Sequence, residues 1–136
     1  MNRRTLMTSA AALALAPAAL AETREFYTPG LAEAAMASGE VVVLDFWASW
    51  CSTCAAQQRV LAALKAGNPD YARHIRFITV DWDRHGRGEL ARALAIPRRS
   101  TLVALDGQAE IGRIVAGTGR AQIAALLDTA LRASLA

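Results

Sequence analysis

The sequence predicts an α/β domain, a mixed four-stranded β-sheet with helices on both faces, and three observations carry that prediction. Val41 to Leu44 is a continuous apolar run that extends through Asp45-Phe46-Trp47, the pattern of a strand buried on both faces. Ile75 to Asp81 alternates and then runs apolar, which suits a second, parallel strand reached through a crossover helix. Asp106-Gly107 separates Thr101–Leu105 from Ala109–Val115, a hairpin signal that makes the last two strands antiparallel.

The elements follow in order. Residues 1–21 begin with Arg3 and Arg4, continue from Leu6 to Leu20 without a charge, and end Ala19-Leu20-Ala21. This is the layout of a secretory signal with a small-residue cleavage site, and it is short and alanine-rich for a membrane span. The expected mature domain is therefore residues 22–136, periplasmic or otherwise exported. Arg3-Arg4 also permits a twin-arginine route. Glu22 to Gly30 reads as a mobile lead with a turn at Pro29-Gly30, and Leu31 to Ser38 as a short helix ended by Gly39. After the central strand, a helix is expected from Cys51 to about Ala66, with Val60, Leu61 and Leu64 on one face and Gly67-Asn68-Pro69 as its stop. Gly88 to Ala95 reads as a short helix. The last helix is expected over about Arg120 to Ala133, with Thr118 as N-cap.

A chain of 136 residues has room for one domain with a real core. Its formal charge of +3 says little about partners, because removing Arg3 and Arg4 leaves 13 basic and 12 acidic residues. No basic face interleaved with aromatics is visible, which argues against nucleic acid. His74 and His85 have no ligand-like spacing to the cysteines and read as surface residues. An exported chain with two cysteines either bonds them to each other or keeps them as a working dithiol.

Those cysteines stand in Cys51-Ser52-Thr53-Cys54, where a strand gives way to a helix. The first turn of a helix leaves backbone N–H groups unpaired and carries partial positive charge. A thiol there gains from ionising, so Cys51 is expected to be the nucleophile. Cys54, one turn on and buried, is expected to stay protonated and then resolve the mixed disulfide. Asp45 is a carboxyl in an apolar strand, expensive unless neutral or partnered, and reads as a raised-pKa proton acceptor for Cys54. Ala55 after the second cysteine excludes haem attachment.

The segment LDFWASWCSTC resembles the signature of the thioredoxin family: a strand-borne Asp, an aromatic-Ala-x-Trp segment and Cys-x-x-Cys. The likeness spans roughly residues 31–133. It implies the thioredoxin fold and an enzyme that exchanges thiols and disulfides on protein substrates. A Cys51–Cys54 redox disulfide then serves in place of a dissociable cofactor or metal. The Trp-Cys-x-x-Cys pattern, with Thr53 rather than His before the second Cys, resembles the reductants of the family. A membrane electron donor follows by analogy, and a monomer is expected.

The resemblance also marks departures. Relatives carry a cis-proline opposite the dithiol, and alignment puts Ser100 there with a trans bond before it; the alternative makes Pro97 the cis residue. Ser100 could hydrogen-bond the Cys51 thiolate or simply its own backbone. Arg98 and Arg99 should lie near Cys51, and Trp50 should shield its sulfur and line the docking surface. Gly117 matches the glycine that admits a substrate backbone. Thr79 stands where many relatives place a lysine beside the Asp, which leaves Asp45 without a cation. Losing the proline also opens a second reading, a Cu(I)-binding module built on Cys51 and Cys54.

Overall fold

The computed structural model describes residues 24–136. The expected signal segment 1–21 and the start at Glu22 lie outside the described residues. In chain order the elements are β1 (Glu25–Phe26), α1 (Leu31–Ala37), β2 (Val41–Trp47), α2 (Ser52–Gly67), α3 (Pro69–His74) and β3 (Arg76–Asp81). They continue with α4 (Trp82–His85), α5 (Glu89–Ala93), β4 (Thr101–Asp106), β5 (Ala109–Val115) and α6 (Arg120–Leu135). The sheet runs β1-β3-β2-β4-β5, five strands rather than four. β3 is parallel to both β1 and β2, while β2/β4 and β4/β5 are antiparallel.

β2 is central, and its side chains alternate between two cores as the pleat requires. Val42, Leu44 and Phe46 enter a core with Ala32 and Met36 of α1, Ile78 and Val80 of β3, and Leu90 of α5. Val41 and Val43 enter the opposite core with Leu61 and Leu64 of α2, Tyr71 of α3, and Ile123 and Leu127 of α6. Each fully buried large aliphatic or aromatic side chain contributes about 1.5–3 kcal/mol by leaving water. The same alternation assigns Asp45 to the face of Val41 and Val43, under α2. A carboxyl thus sits in a core layer.

The expected mobile lead is instead part of the sheet. Glu25 and Phe26 pair with Ile78 and Thr79, Tyr27 N–H donates to Thr79 O at 2.8 Å, and the Tyr27 hydroxyl donates to Glu33 at 2.6 Å. A two-residue edge strand is too short to show a period, and its anchors lie far along the chain: Glu25 pairs with Arg76 at 2.6 Å. His85, expected at the surface, packs edge-on against Tyr27, ring centroids 5.0 Å apart.

Asn68-Pro69 ends α2 as expected, but it also opens α3. The Asn68 side chain accepts from Asp70 N–H and Pro69 occupies the first turn, where a missing N–H costs nothing. The N-cap of α6 is Gly119 without a side-chain bond, not Thr118. α2 starts at Ser52, with Cys51 as its N-cap. That one-residue shift has chemical meaning.

Candidate active site

At the N-cap, Cys51 has extended backbone angles, and its Sγ accepts the N–H of Cys54 at 3.2 Å. The sulfur thus takes the place that Ser or Asp usually fills at a helix start, among unpaired N–H donors. Both cysteines are free thiols; Cys51 is 5% exposed and Cys54 fully buried. Burial opposes ionisation of Cys51, yet hydrogen bonds from Cys54 and Ser100, the Cys54 N–H and Arg99 outweigh it and bring its pKa down to about 7. Burial, reinforced by the hydrogen bond to Cys51, pushes Cys54 the other way. The pair is asymmetric in the expected sense.

Ser100 is the third member. Its Oγ lies 3.1 Å from Cys51 Sγ and 3.0 Å from Cys54 Sγ, so it bonds the dithiol rather than its own backbone. No described peptide bond is cis, neither before Ser100 nor before Pro97. Ser100 instead takes φ 62°, a left-handed conformation costing an L-residue roughly 1–2 kcal/mol. Three backbone bonds hold it there: its N–H donates to Phe46 O at 2.7 Å, and its carbonyl accepts from Ala116 N–H at 2.8 Å and Gln57 Nε2 at 2.9 Å.

Gln57 is fully buried, and the same Nε2 also donates to Gly117 O at 2.9 Å. One amide therefore ties α2 to the Ser100 loop and to the turn after β5. A Cβ on Gly117 would lie 2.8 Å from Ile114 Cγ2 and closer still to Gln122, so close packing alone requires glycine. Gln57→Ala is expected to cost about 2–4 kcal/mol through the cavity and the lost bonds, read as a lower urea midpoint with unchanged slope.

The outward face carries Trp50, Arg99 and Asp83. Trp50 is 59% exposed, its Nε1 donates to both Asp83 oxygens at 3.1 and 3.0 Å, and the Arg99 guanidinium lies 4.4 Å from its ring centroid. Trp47 and Trp82, not this exposed ring, pack against the buried cluster of Ala48, Cys51 and Cys54. Arg98 turns aside, donating to Arg99 O at 3.0 Å.

Asp45 hydrogen-bonds α2 through Gln58. It is 5% exposed, its Oδ2 accepts from Gln58 Nε2, and its Oδ1 has no hydrogen-bond partner among the described residues. Burial raises its pKa to about 7, against the pull of Arg24, the Gln58 bond and Lys65. The expectation of a missing cation is corrected here. Arg24 Nη2 lies 3.8 Å from Asp45 Oδ2 and donates to Thr79 Oγ1 at 3.3 Å, while its guanidinium stacks 4.5 Å from the Trp47 ring centroid. Arg24, the residue before β1, supplies the cation that Thr79 of β3 does not.

Gln57, Gln58, Asp83 and Arg24 were not singled out from the sequence. The two glutamines follow Cys54 at helical i+3 and i+4 spacing, a usable signal. Arg24 had none, being 21 residues from Asp45 in sequence. Among the described residues no three His, Cys, Asp or Glu side chains gather as metal ligands, so the copper reading rests on the two sulfurs alone. No described helix is long and apolar enough to cross a membrane.

A dithiol at a helix start on this sheet defines a thiol–disulfide oxidoreductase. The model of the thioredoxin family matches residues 24–129. Thioredoxin of Mycolicibacterium smegmatis is 28% identical over 96 residues, 71% of this chain and 83% of its own length. Thioredoxin H2-1 of Oryza sativa subsp. japonica is 34% identical over 95 residues, 70% of this chain and 63% of its own. The crystal structure of Trxlp from Edwardsiella tarda superposes with TM-score 0.66 at 27% identity, covering 77% of this chain and 98% of that one. The chain belongs to the thioredoxin family, whose members exchange thiols and disulfides on protein substrates.

Proposed function

We propose that this protein is an exported reductant of protein disulfides. Residues 1–21 are its removed signal and residues 22–136 its working domain, periplasmic or otherwise exported. The charge pattern of the first 21 residues supports export. One observation carries the chemistry: Cys51 Sγ accepts the helix-start N–H at 3.2 Å while Cys54, one turn on, is fully buried.

Cys51 thiolate attacks a substrate disulfide, forming a mixed disulfide and releasing one substrate thiolate. Cys54 loses its proton and attacks Cys51 Sγ, closing the Cys51–Cys54 disulfide and releasing the second thiolate. The substrate gains two electrons and the dithiol loses two. Asp45 takes the Cys54 proton, its pKa near 7 matching a base that works at neutral pH. No direct hydrogen bond joins Asp45 to Cys54, so in this reading a water molecule relays the proton between them. A cavity of about 40 Å³ bordered by Asp45, Arg24 and Thr79 gives it an exit.

Trp50, Arg99, Ser100 and Gly117 frame the docking face. Trp50 offers an exposed ring, Arg99 a cation suited to acidic partners, and the backbone around Ser100 and Gly117 a ledge for an extended substrate. The domain works as a monomer, and a membrane donor supplies its electrons.

Cys54→Ser is expected to accumulate a covalent mixed disulfide with a substrate protein, visible by non-reducing electrophoresis and removed by dithiothreitol. The wild type should leave no such adduct. A measured reduction potential near about −270 mV supports the reductant assignment, and one near about −120 mV reverses it.

A further inference from the structure

One buried hydroxyl faces both sulfurs, and the rest of the site is arranged to keep it there. Ser100 Oγ is 3.1 Å from Cys51 Sγ and 3.0 Å from Cys54 Sγ, and its residue is fully buried. The backbone takes the left-handed φ of 62° that places it, pinned by Phe46 O, Ala116 N–H and Gln57 Nε2. A strained, over-determined backbone at a reacting centre is a sign of function. A proline, which the family resemblance places at this position, would carry no hydroxyl at all.

A serine hydroxyl has one proton and two lone pairs, so it cannot donate to two sulfurs at once. Once one cysteine is ionised, the arrangement that uses both contacts is a chain: the protonated sulfur donates to Oγ, and Oγ–H donates to the thiolate. The thiolate is Cys51, because it also accepts the Cys54 N–H. The chain is therefore Ser100 O–H to Cys51 S⁻, with the single Cys54 S–H shared between Ser100 Oγ and Cys51 S⁻. Once Cys51 is bonded to substrate its charge is gone. The hydroxyl rotor is then free to turn, and Oγ–H points to the Cys54 thiolate from the same 3.0 Å position.

We infer that Ser100 is a catalytic residue whose hydroxyl serves the two sulfurs in turn, holding the attacking thiolate of Cys51 first and the resolving thiolate of Cys54 second. This rests on the dithiol mechanism proposed above. No extra reactant is needed: Ser100 returns to its starting state, and the Cys54 proton leaves as in that mechanism. Both thiolates are stabilised by one group, so one substitution touches both chemical steps. A residue that merely packs against the pair would alter neither.

The test follows two release phases with an aromatic disulfide that sheds a coloured thiolate. The first phase is attack by Cys51, and the second is resolution by Cys54. Ser100→Gly tolerates the φ of 62° and removes only the hydroxymethyl group; Ser100→Ala is the second variant. Loss of a hydrogen bond to a charged group, partly offset by the greater nucleophilicity of a more basic thiolate, predicts both phases slowed about three- to tenfold at neutral pH. The pH midpoint of Cys51 alkylation by iodoacetamide is expected to move upward. Phases within twofold of wild type in both variants, with an unmoved midpoint, overturn the inference. So does a slowed first phase with an unchanged second, which leaves Ser100 serving Cys51 alone. A wild-type protein showing neither phase overturns the dithiol mechanism and this inference together. The alkylation midpoint needs no turnover and still reports whether Ser100 acts on Cys51, which separates the two failures.

Discussion

Cys51→Ser is expected to lower catalysed disulfide reduction to the background rate, a loss of roughly 10³-fold or more. Magnitudes show where that loss comes from. A pKa of about 7 makes about half of Cys51 thiolate at neutral pH, against a few per cent for an ordinary cysteine. The same lowering weakens intrinsic nucleophilicity, with a Brønsted coefficient of about 0.4–0.5, so the net gain is only a few-fold. The greater part must lie in position: Cys54 is one helical turn away, and intramolecular capture replaces a second collision. Serine at 51 removes the sulfur on which both steps occur, and a hydroxyl at the same N-cap is not ionised near neutrality. The check is a turnover assay on a disulfide-bonded protein beside a denaturation curve. The variant should stay folded, because Ser is itself a good N-cap. Unchanged turnover in a folded Cys51→Ser protein sinks the redox assignment.

Asp45→Asn is expected to gain stability over wild type as pH rises from about 4 to about 7 and to keep that gain at higher pH. The carboxyl has a folded pKa of about 7, raised from 3.8 by burial. Between those values the folded state holds a proton that the unfolded state has released. Stability contributed by this group is therefore fully present below about pH 4 and is lost as pH rises through 7. The span of about three pKa units corresponds to roughly 4 kcal/mol, because a carboxylate 5% exposed recovers little solvation. Asparagine keeps an acceptor for Gln58 and carries no charge. Urea unfolding of both proteins at pH 4 and pH 8.5 measures the difference, which should be small at the first and several kcal/mol at the second. A gap that does not change with pH means that Asp45 ionises like an exposed carboxylate, and its role as a proton acceptor at neutral pH then falls.

The two expectations draw on different kinds of information. The Cys51–Cys54 asymmetry was legible in the chain because its cause is local. Backbone N–H groups at a helix start are set by the residues that form the helix, and the cysteines are one turn apart. The burial of Asp45 was legible for a related reason: it interrupts an apolar run, and the pleat assigns it to one of two cores. Ser100 was legible as a departure, although its contact with both sulfurs was not. Its loop and the helix carrying Cys54 are joined through space by Gln57, 43 positions away from Ser100.

Arg24 marks the limit more sharply. No local pattern distinguishes it from the chain's other arginines, and the segment around it reads as a loose lead. It meets Asp45 only because β1 adds to the far edge of β3 and turns its side chain inward over Trp47. α3 and the edge strand β1 are illegible for similar reasons, being a helix that starts where the stop of α2 falls and a strand of two residues.

The sequence by itself determined the fold class, the polarity of the dithiol and the cost of the buried carboxyl. Each follows from short-range periodicity, from dipoles along one helix, or from a charge set among apolar neighbours. Only the tertiary structure decided which groups answer that charge and those sulfurs. Arg24 comes from the segment before β1, Gln57 and Gln58 from α2, and the Ser100 hydroxyl from the loop before β4. Distances between segments depend on how the whole sheet is assembled, and no window of the chain contains them.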